Sequence, residues 1–371
     1  MKNLYFDASV LQYPNFRGVH IYAWNLLREM ARLDRKVRLH LHFGMQGWNP
    51  KIDELLAEPN VTCHRWSGVL GRHLMPIVEV LRTRSSVYCL LNGNTGRIRV
   101  PVPCKTAAVF HDLRLIYYPD LYGNIESEKF AKQAAKWMPK LDLVITGANT
   151  VKGEIHDYFG IPDERIVVVS EGCDHGGDKS ELFASCVAAD LGFPYFLTVN
   201  PSDVRKNLFR TLEAFVIYTR QAVSACEVKL VIAGVIAESD RFLTWKKDHP
   251  DMEGRVLHLG YVEEERLRSL YQGAIASIYV SLYEGFGIPI IESFRNNCAV
   301  IASDIPVFHE VAGDAACFVN PHDSNSLVDA MSQFHENATY RKDLIAKGLV
   351  RSECYSWSKS AEVALEALLR M

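Results

Sequence analysis

The chain has 371 residues, 48% of them hydrophobic and 23% charged, with a net charge of −3. That length suits two or three domains, and the mix is that of an ordinary globular protein. The near-neutral balance excludes a general affinity for polyanions, so nucleic acid is not an expected partner. The nine Cys are scattered with no C-x-x-C pair. They read as reduced, mostly buried thiols of a cytosolic protein. No apolar stretch approaches the roughly 18 residues of a membrane span, and the first residues run directly into a strand pattern instead of a signal peptide. The expected location is cytoplasmic.

In chain order, apolar runs predict strands at residues 4–7, 38–43, 61–65, 87–91, 107–111, 143–147 and 166–169 in the first half. Helical patterns lie between several of them, at 21–33 and 125–137. In the second half the predicted strands are 195–198, 228–233, 256–259, 276–280, 299–302 and 316–319. Helices follow each; in the one at 206–220, Leu208, Leu212, Phe215 and Val216 recur at helical spacing. Such alternation implies an α/β protein with parallel sheets covered on both faces. It breaks once, at the glycine-rich polar stretch 172–180, which reads as a linker. Two doubly wound, Rossmann-like domains are therefore expected, 1–178 and 179–355, facing each other across a cleft at the carboxyl ends of their strands.

The most informative segment is Ser281-Leu282-Tyr283-Glu284-Gly285-Phe286-Gly287-Ile288-Pro289-Ile290-Ile291-Glu292, which follows the strand at 276–280. Pro289 suits the first turn of a helix. Gly285 and Gly287 allow close backbone approach to a ligand, and the free amides at the helix start attract an anion or a sugar hydroxyl. Glu292, one turn in, has the chemistry to accept from the paired hydroxyls of a ribose. Glu284 then sits across the loop, near a sugar. A first-turn Glu favoured by the helix dipole, beside a solvated loop Glu, is the plainer alternative. A dinucleotide fingerprint fits poorly, because Ile290 stands where the third glycine belongs.

A second strand–turn–helix passage carries Arg205-Lys206-Asn207. Adjacent cations at a strand's carboxyl end suit a departing diphosphate, Arg as a bidentate fork and Lys as a point charge. A solvated basic pair is the alternative.

The E-x₇-E spacing of Glu284 and Glu292, with its internal G-F-G, resembles the signature of glycosyltransferase family 4, retaining enzymes of the two-domain GT-B fold. Arg205-Lys206-Asn207 resembles the R-K-N of its mannosyltransferase-like branch, and Val109-Phe110-His111-Asp112-Leu113 resembles its H-D-L segment. Ser303–Val311 and Val319–Asp323 are similar to its later blocks. The likeness is strong over the second half and patchier over the first. It implies that Glu292 binds the ribose, that Arg205 and Lys206 bind the diphosphate, and that Glu284, Phe286, Gly287 and Ile288 lie at the donor sugar. It further implies that His111 touches that sugar and Asp112 lies beside it near the acceptor. Arg17-Gly18-Val19-His20-Ile21-Tyr22 resembles the family's G-x-G-x-Y loop, whose amides approach the diphosphate. Here Gly18 and Tyr22 align and His20 replaces the second glycine. The terminal stretch 356–371 fits a helix that packs back on the first domain.

The implied activity is retaining transfer of a hexose, mannose from GDP-mannose in the first instance, from a nucleotide sugar to a glycan or lipid-linked acceptor in surface-polysaccharide or lipopolysaccharide synthesis. Arg205, Lys206 and helix amides stabilise the departing diphosphate. A front-face route is the preferred reading, with a glycosidase-like Glu nucleophile as the alternative. No metal or other cofactor is expected, since the chain has no D-x-D pair. The rivals are a sugar-nucleotide epimerase of the same fold and an inactive nucleotide-binding partner subunit.

Between Val61 and Lys105 lie Arg65, Arg72, Arg82, Arg84, Arg97, Arg99 and Lys105 against the single acid Glu79, with Trp66, Leu70, Leu74, Ile77 and Leu81 interleaved. Such a stretch suits the anionic inner face of a membrane, and it equally suits a solvated face.

Overall fold

The computed structural model describes residues 2–13, 18–45, 47–66, 68–94, 102–173, 191–221 and 227–371, with residues 68–73 and 75 described by their backbone alone. Linker residues 174–180 and the cations Arg17, Arg97 and Arg99 lie outside this set. The chain divides into two compact units, Met1–Gly172 with Tyr355–Met371, and Cys173–Cys354.

The first unit holds a seven-stranded sheet: β1 (Lys2–Asp7), β2 (Val37–Gly44), β3 (Val61–Trp66), β4 (Val87–Leu90), β5 (Lys105–Val109), β6 (Leu143–Thr146) and β7 (Ile166–Val168). Their order is β3-β2-β1-β4-β5-β6-β7. The second unit holds six strands: β8 (Tyr195–Val199), β9 (Lys229–Ala233), β10 (Val256–Gly260), β11 (Ala276–Tyr279), β12 (Val300–Ser303) and β13 (Cys317–Val319). Their order is β10-β9-β8-β11-β12-β13. All the recorded pairings are parallel. Each sheet thus runs outward from its first strand in one direction and then reverses, the doubly wound Rossmann-like order. The reversal lies between β1 and β4 in one unit and between β8 and β11 in the other.

Continuous apolar runs explain why the central strands are central. β8, β11 and β12 are buried along their whole length, as strands covered on both faces must be. In the first unit, Leu4, Phe6, Leu39, Leu41 and Phe43 share a core with Trp357, Ala361, Ala364, Leu365 and Leu368 of the terminal helix Trp357–Arg370. That helix also packs along Gly18–Leu33. In the second unit the core joins Phe196, Leu230, Ile232, Ile278 and Ile301 to Leu212, Phe215, Leu327 and Met331.

Candidate active site

Both motifs of the second unit stand at its reversal point. β8 ends at Val199, and Asp203 then accepts the Arg205 amide through Oδ1 at 3.1 Å, opening a single 3₁₀ turn, Val204–Lys206. Asn207 follows in the left-handed region at φ 56° and starts the helix Leu208–Gln221. Its side-chain amide donates to the carbonyls of Val280, at 3.1 Å, and Pro321, at 2.8 Å. β11 ends at Tyr279, and the loop after it enters the helix Ile288–Arg295 with Pro289 in the first turn. Gly287 makes that entry at φ 132°, where a Cβ would be strained and 3.1 Å from the Phe308 ring.

The two turns are stapled together. The Leu282 amide donates to the Arg205 carbonyl at 2.8 Å, and Arg205 Nη1 donates to the Tyr283 carbonyl at 2.8 Å. Arg205 Nη1 also pairs with the Glu284 carboxylate. Lys206 Nζ lies 3.8 Å from that carboxylate, and Ser281 Oγ donates to it at 3.0 Å. Burial raises the Glu284 carboxyl, but Arg205, Lys206 and the hydrogen bonds from Arg205 and Ser281 outweigh it and bring the group down to about 2. Asp203 Oδ2 lies 3.4 Å from Arg205 Nε, so the cluster holds two cations and two carboxylates. Arg205 is thus held closely by Glu284 and the Tyr283 carbonyl, and Lys206 more loosely.

Glu292 is half-buried, and its Oε2 accepts from Tyr271 Oη at 3.3 Å. Burial raises this carboxyl to about 6, with help from Glu264 and against Tyr271, Lys206 and Arg268. Lys206 acts on both glutamates, so the E-x₇-E pair and the basic turn form one electrostatic cluster. Phe286 and Gly287 are buried, and Ile288 is half-exposed at the helix start.

Gly18, His111 and Asp112 belong to the first unit. The expected glycine loop differs from expectation. Gly18, at φ 25°, is the first residue of the helix Gly18–Leu33, so His20 and Tyr22 are helical. The apolar positions Tyr22, Leu26 and Leu27 are buried on one face, which accounts for the helix. Tyr22 stands edge-on to His111, ring centroids 5.0 Å apart.

His111 and Asp112 follow β5. A residue that the sequence reading passed over, Asn94, clamps both: its Oδ1 accepts the His111 amide at 3.0 Å and its Nδ2 donates to the Asp112 carbonyl at 2.7 Å. The signal was there, as Asn92-Gly93-Asn94 directly after an apolar strand. Gly93 is required, since a Cβ would lie 2.6 Å from the Phe110 ring. His111 Nε2 is buried with no hydrogen-bond partner among the described residues. Burial lowers the imidazole to about 4, against Asp112 and the Leu91 carbonyl, so it is neutral at neutral pH. Asp112 is buried and pairs with Arg114 at 2.8 Å. Among the described residues, no group of three or more His, Cys, Asp or Glu is placed to hold a metal ion.

In the basic stretch, Glu79 is buried beneath Arg82, 2.7 Å away, while Leu74, Val78 and Leu81 are exposed on the helix Gly68–Thr83. Arg65 lies over the Trp48 ring, and Lys105 pairs with Asp142 at 2.8 Å. No helix among the described residues is long and apolar enough to cross a membrane.

Two Rossmann-like units of this strand order make the GT-B fold. Residues 186–350 match the family model described as Glycosyl transferases group 1. The chain is similar to the O-antigen chain mannosyltransferase B of Escherichia coli, 25% identical over 71% of this chain and 70% of that one. It is also similar to the O-antigen chain mannosyltransferase RfbU of Salmonella typhimurium, 31% identical over 64% of this chain and 65% of that one. Among solved structures, Anabaena Alr3699/HepE in complex with UDP superposes with a TM-score of 0.72 at 15% identity, over the full length of both chains. Together these findings support a glycosyltransferase of GT-B fold.

Proposed function

We propose that this protein is a retaining hexosyltransferase that moves mannose from GDP-mannose to a glycan or lipid-linked acceptor in surface-polysaccharide synthesis. The observation that carries the reading is the cluster at the reversal point of the second sheet, where Arg205, Lys206 and Glu284 meet within 4 Å on two stapled turns. The choice of mannose and of a surface-polysaccharide acceptor is supported by the names of the O-antigen mannosyltransferase relatives, and that of GDP by the resemblance of the motifs alone.

In this reading Glu292 holds the ribose. Lys206 and Arg205 bind the diphosphate, Arg205 leaving Glu284 as the phosphate arrives, and the amides at the start of Ile288–Arg295 add fixed dipoles. Released from Arg205, Glu284 turns to the donor sugar. The neutral His111, whose Nε2 has no hydrogen-bond partner among the described residues, is proposed to serve the donor sugar and Asp112 the acceptor. Transfer follows a front-face route, the departing phosphate taking the acceptor's proton. Two cations do the work that a divalent ion does elsewhere, so no metal is required.

The test is a panel of nucleotide sugars assayed for hydrolysis and for transfer to a mannosylated acceptor, with excess EDTA in one arm. Release of GDP and mannose from GDP-mannose alone, undiminished by EDTA, is the expected result. Preference for another nucleotide sugar overturns the donor, and a loss restored by Mn²⁺ overturns the metal-independent chemistry. A changed nucleotide sugar released without acceptor identifies an epimerase.

A further inference from the structure

Behind Glu292 a chain of hydroxyls runs into the core of the second unit. Tyr271 Oη donates to Glu292 Oε2 at 3.3 Å, and Tyr279 Oη donates to Tyr271 Oη at 3.1 Å. Tyr279 Oη also lies 3.0 Å from Ser293 Oγ, and Ser277 Oγ donates to Ser293 Oγ at 2.9 Å. Tyr271, Tyr279, Ser277 and Ser293 are all buried. Each hydroxyl carries one proton. Tyr279 gives its own to Tyr271, so the Tyr279–Ser293 contact draws on the proton of Ser293, which the Pro289 carbonyl also accepts at 2.7 Å. The proton of Tyr271 is left for Glu292, the acceptor at the outer end of the chain. The Tyr279 and Tyr271 hydroxyls point the same way and polarise one another toward Glu292.

We infer that Tyr271 is a positioning residue for Glu292: its hydroxyl, held in turn by Tyr279, fixes Oε2 so that the carboxylate meets the donor in one orientation. The inference rests on the proposed ribose role of Glu292. A hydrogen bond to the carboxylate also favours its ionised form. That matters here because burial opposes ionisation. The charged groups facing Glu292 are Glu264 and Arg268, on the same helix as Tyr271 (Glu264–Gly273), and Lys206 from the 3₁₀ turn. Removing the Tyr271 hydroxyl leaves those charges in place and withdraws the directional donor. The carboxylate then binds a proton at higher pH and accepts from a ribose less well.

The experiment measures affinity for GDP-mannose and for UDP-glucose between pH 5.5 and 8.5 in wild type, Tyr271→Phe, Tyr279→Phe, Glu292→Gln and Tyr271→Phe/Glu292→Gln. Neither probe has an ionisation of its diphosphate near pH 6. For Tyr271→Phe the expected result is a pH midpoint displaced upward, with affinity down by roughly tenfold at pH 7 and recovering toward wild type at pH 8.5. Tyr279→Phe moves the midpoint the same way by less, and it decides the matter by the same criterion if Tyr271→Phe does not fold. In the Glu292→Gln background the displacement vanishes. An unmoved midpoint, whether affinity is intact or lowered equally at every pH, overturns the positioning role. Glu292→Gln binding like wild type, or wild type binding neither probe, overturns the donor-site reading beneath it instead.

Discussion

At the scale of single residues, Glu284 and Glu292 sit in the same cluster with carboxyls displaced in opposite directions, to about 2 and about 6. The consequences for stability have opposite signs. Glu284 titrates lower in the folded chain than in the unfolded one, so its stabilisation is present above the unfolded carboxyl range near 4.5 and is lost as pH falls toward 2. It amounts to about 3 kcal/mol. Glu292 titrates higher when folded, so the folded state binds the extra proton between about 4.5 and 6, and stability falls as pH rises through that window by about 2 kcal/mol. Thermal denaturation without ligand should therefore show Glu284→Gln destabilised at pH 8 and Glu292→Gln stabilised there, the first difference fading as pH falls from about 4.5 toward 2 and the second as it falls from about 6 to 4.5. Ligand binding separates them again. Glu284→Gln frees Arg205, so affinity for GDP holds or rises while transfer slows. Glu292→Gln loses affinity for GDP by about 1.5–3 kcal/mol. Calorimetry with steady-state transfer assays reads both. The reverse pattern of affinities would exchange the two roles.

Elements were legible where periodicity and punctuation agreed. Each strand expected from an apolar run is present with its ends within two residues, because parallel strands covered on both faces cannot hide their hydrophobic runs. Pro289 likewise marked the start of Ile288–Arg295. Gly18–Leu33 was read three residues short, and its first turn carries the stretch that resembles a glycine loop. The helix Gly68–Thr83 carries a prediction of its own. Exposed Leu74, Val78 and Leu81 recur one helical turn apart beside Arg82, whose only acidic neighbour in the stretch is buried. Exposed apolar residues beside a cation suit an anionic lipid surface, and equally suit a solvated face. Wild type should co-sediment with phosphatidylglycerol vesicles in low salt, and Leu74→Glu/Leu81→Glu should lower the bound fraction by roughly tenfold. Absence of wild-type binding in low salt would point to a soluble acceptor.

For the whole molecule, the terminal helix links the end of the chain to its beginning. Trp357 is 1% exposed, inside the core of the first unit and edge-on to Tyr22. Trp357→Ala should cost about 3–5 kcal/mol of stability by leaving a cavity there. It should leave nucleotide affinity within about twofold, because the donor cluster lies in a separately packed unit. Differential scanning calorimetry and GDP titration check the two halves, and a large loss of affinity would tie the donor site to the first unit's core. The sequence by itself determined the alternation, the thirteen described strands and the residue types of the E-x₇-E and Arg-Lys turns, because burial and turn geometry write directly into local composition. The tertiary structure alone decided that Arg205 rests on Glu284, that Asn94 clamps His111 and Asp112, that Tyr271 backs Glu292, and that His40, His42 and His64 form a buried polar layer on the first sheet. Those partners lie 17 to 79 residues apart, or on neighbouring strands. Side chains that far apart meet only once the sheet order is set, and no local pattern records which strand lies beside which.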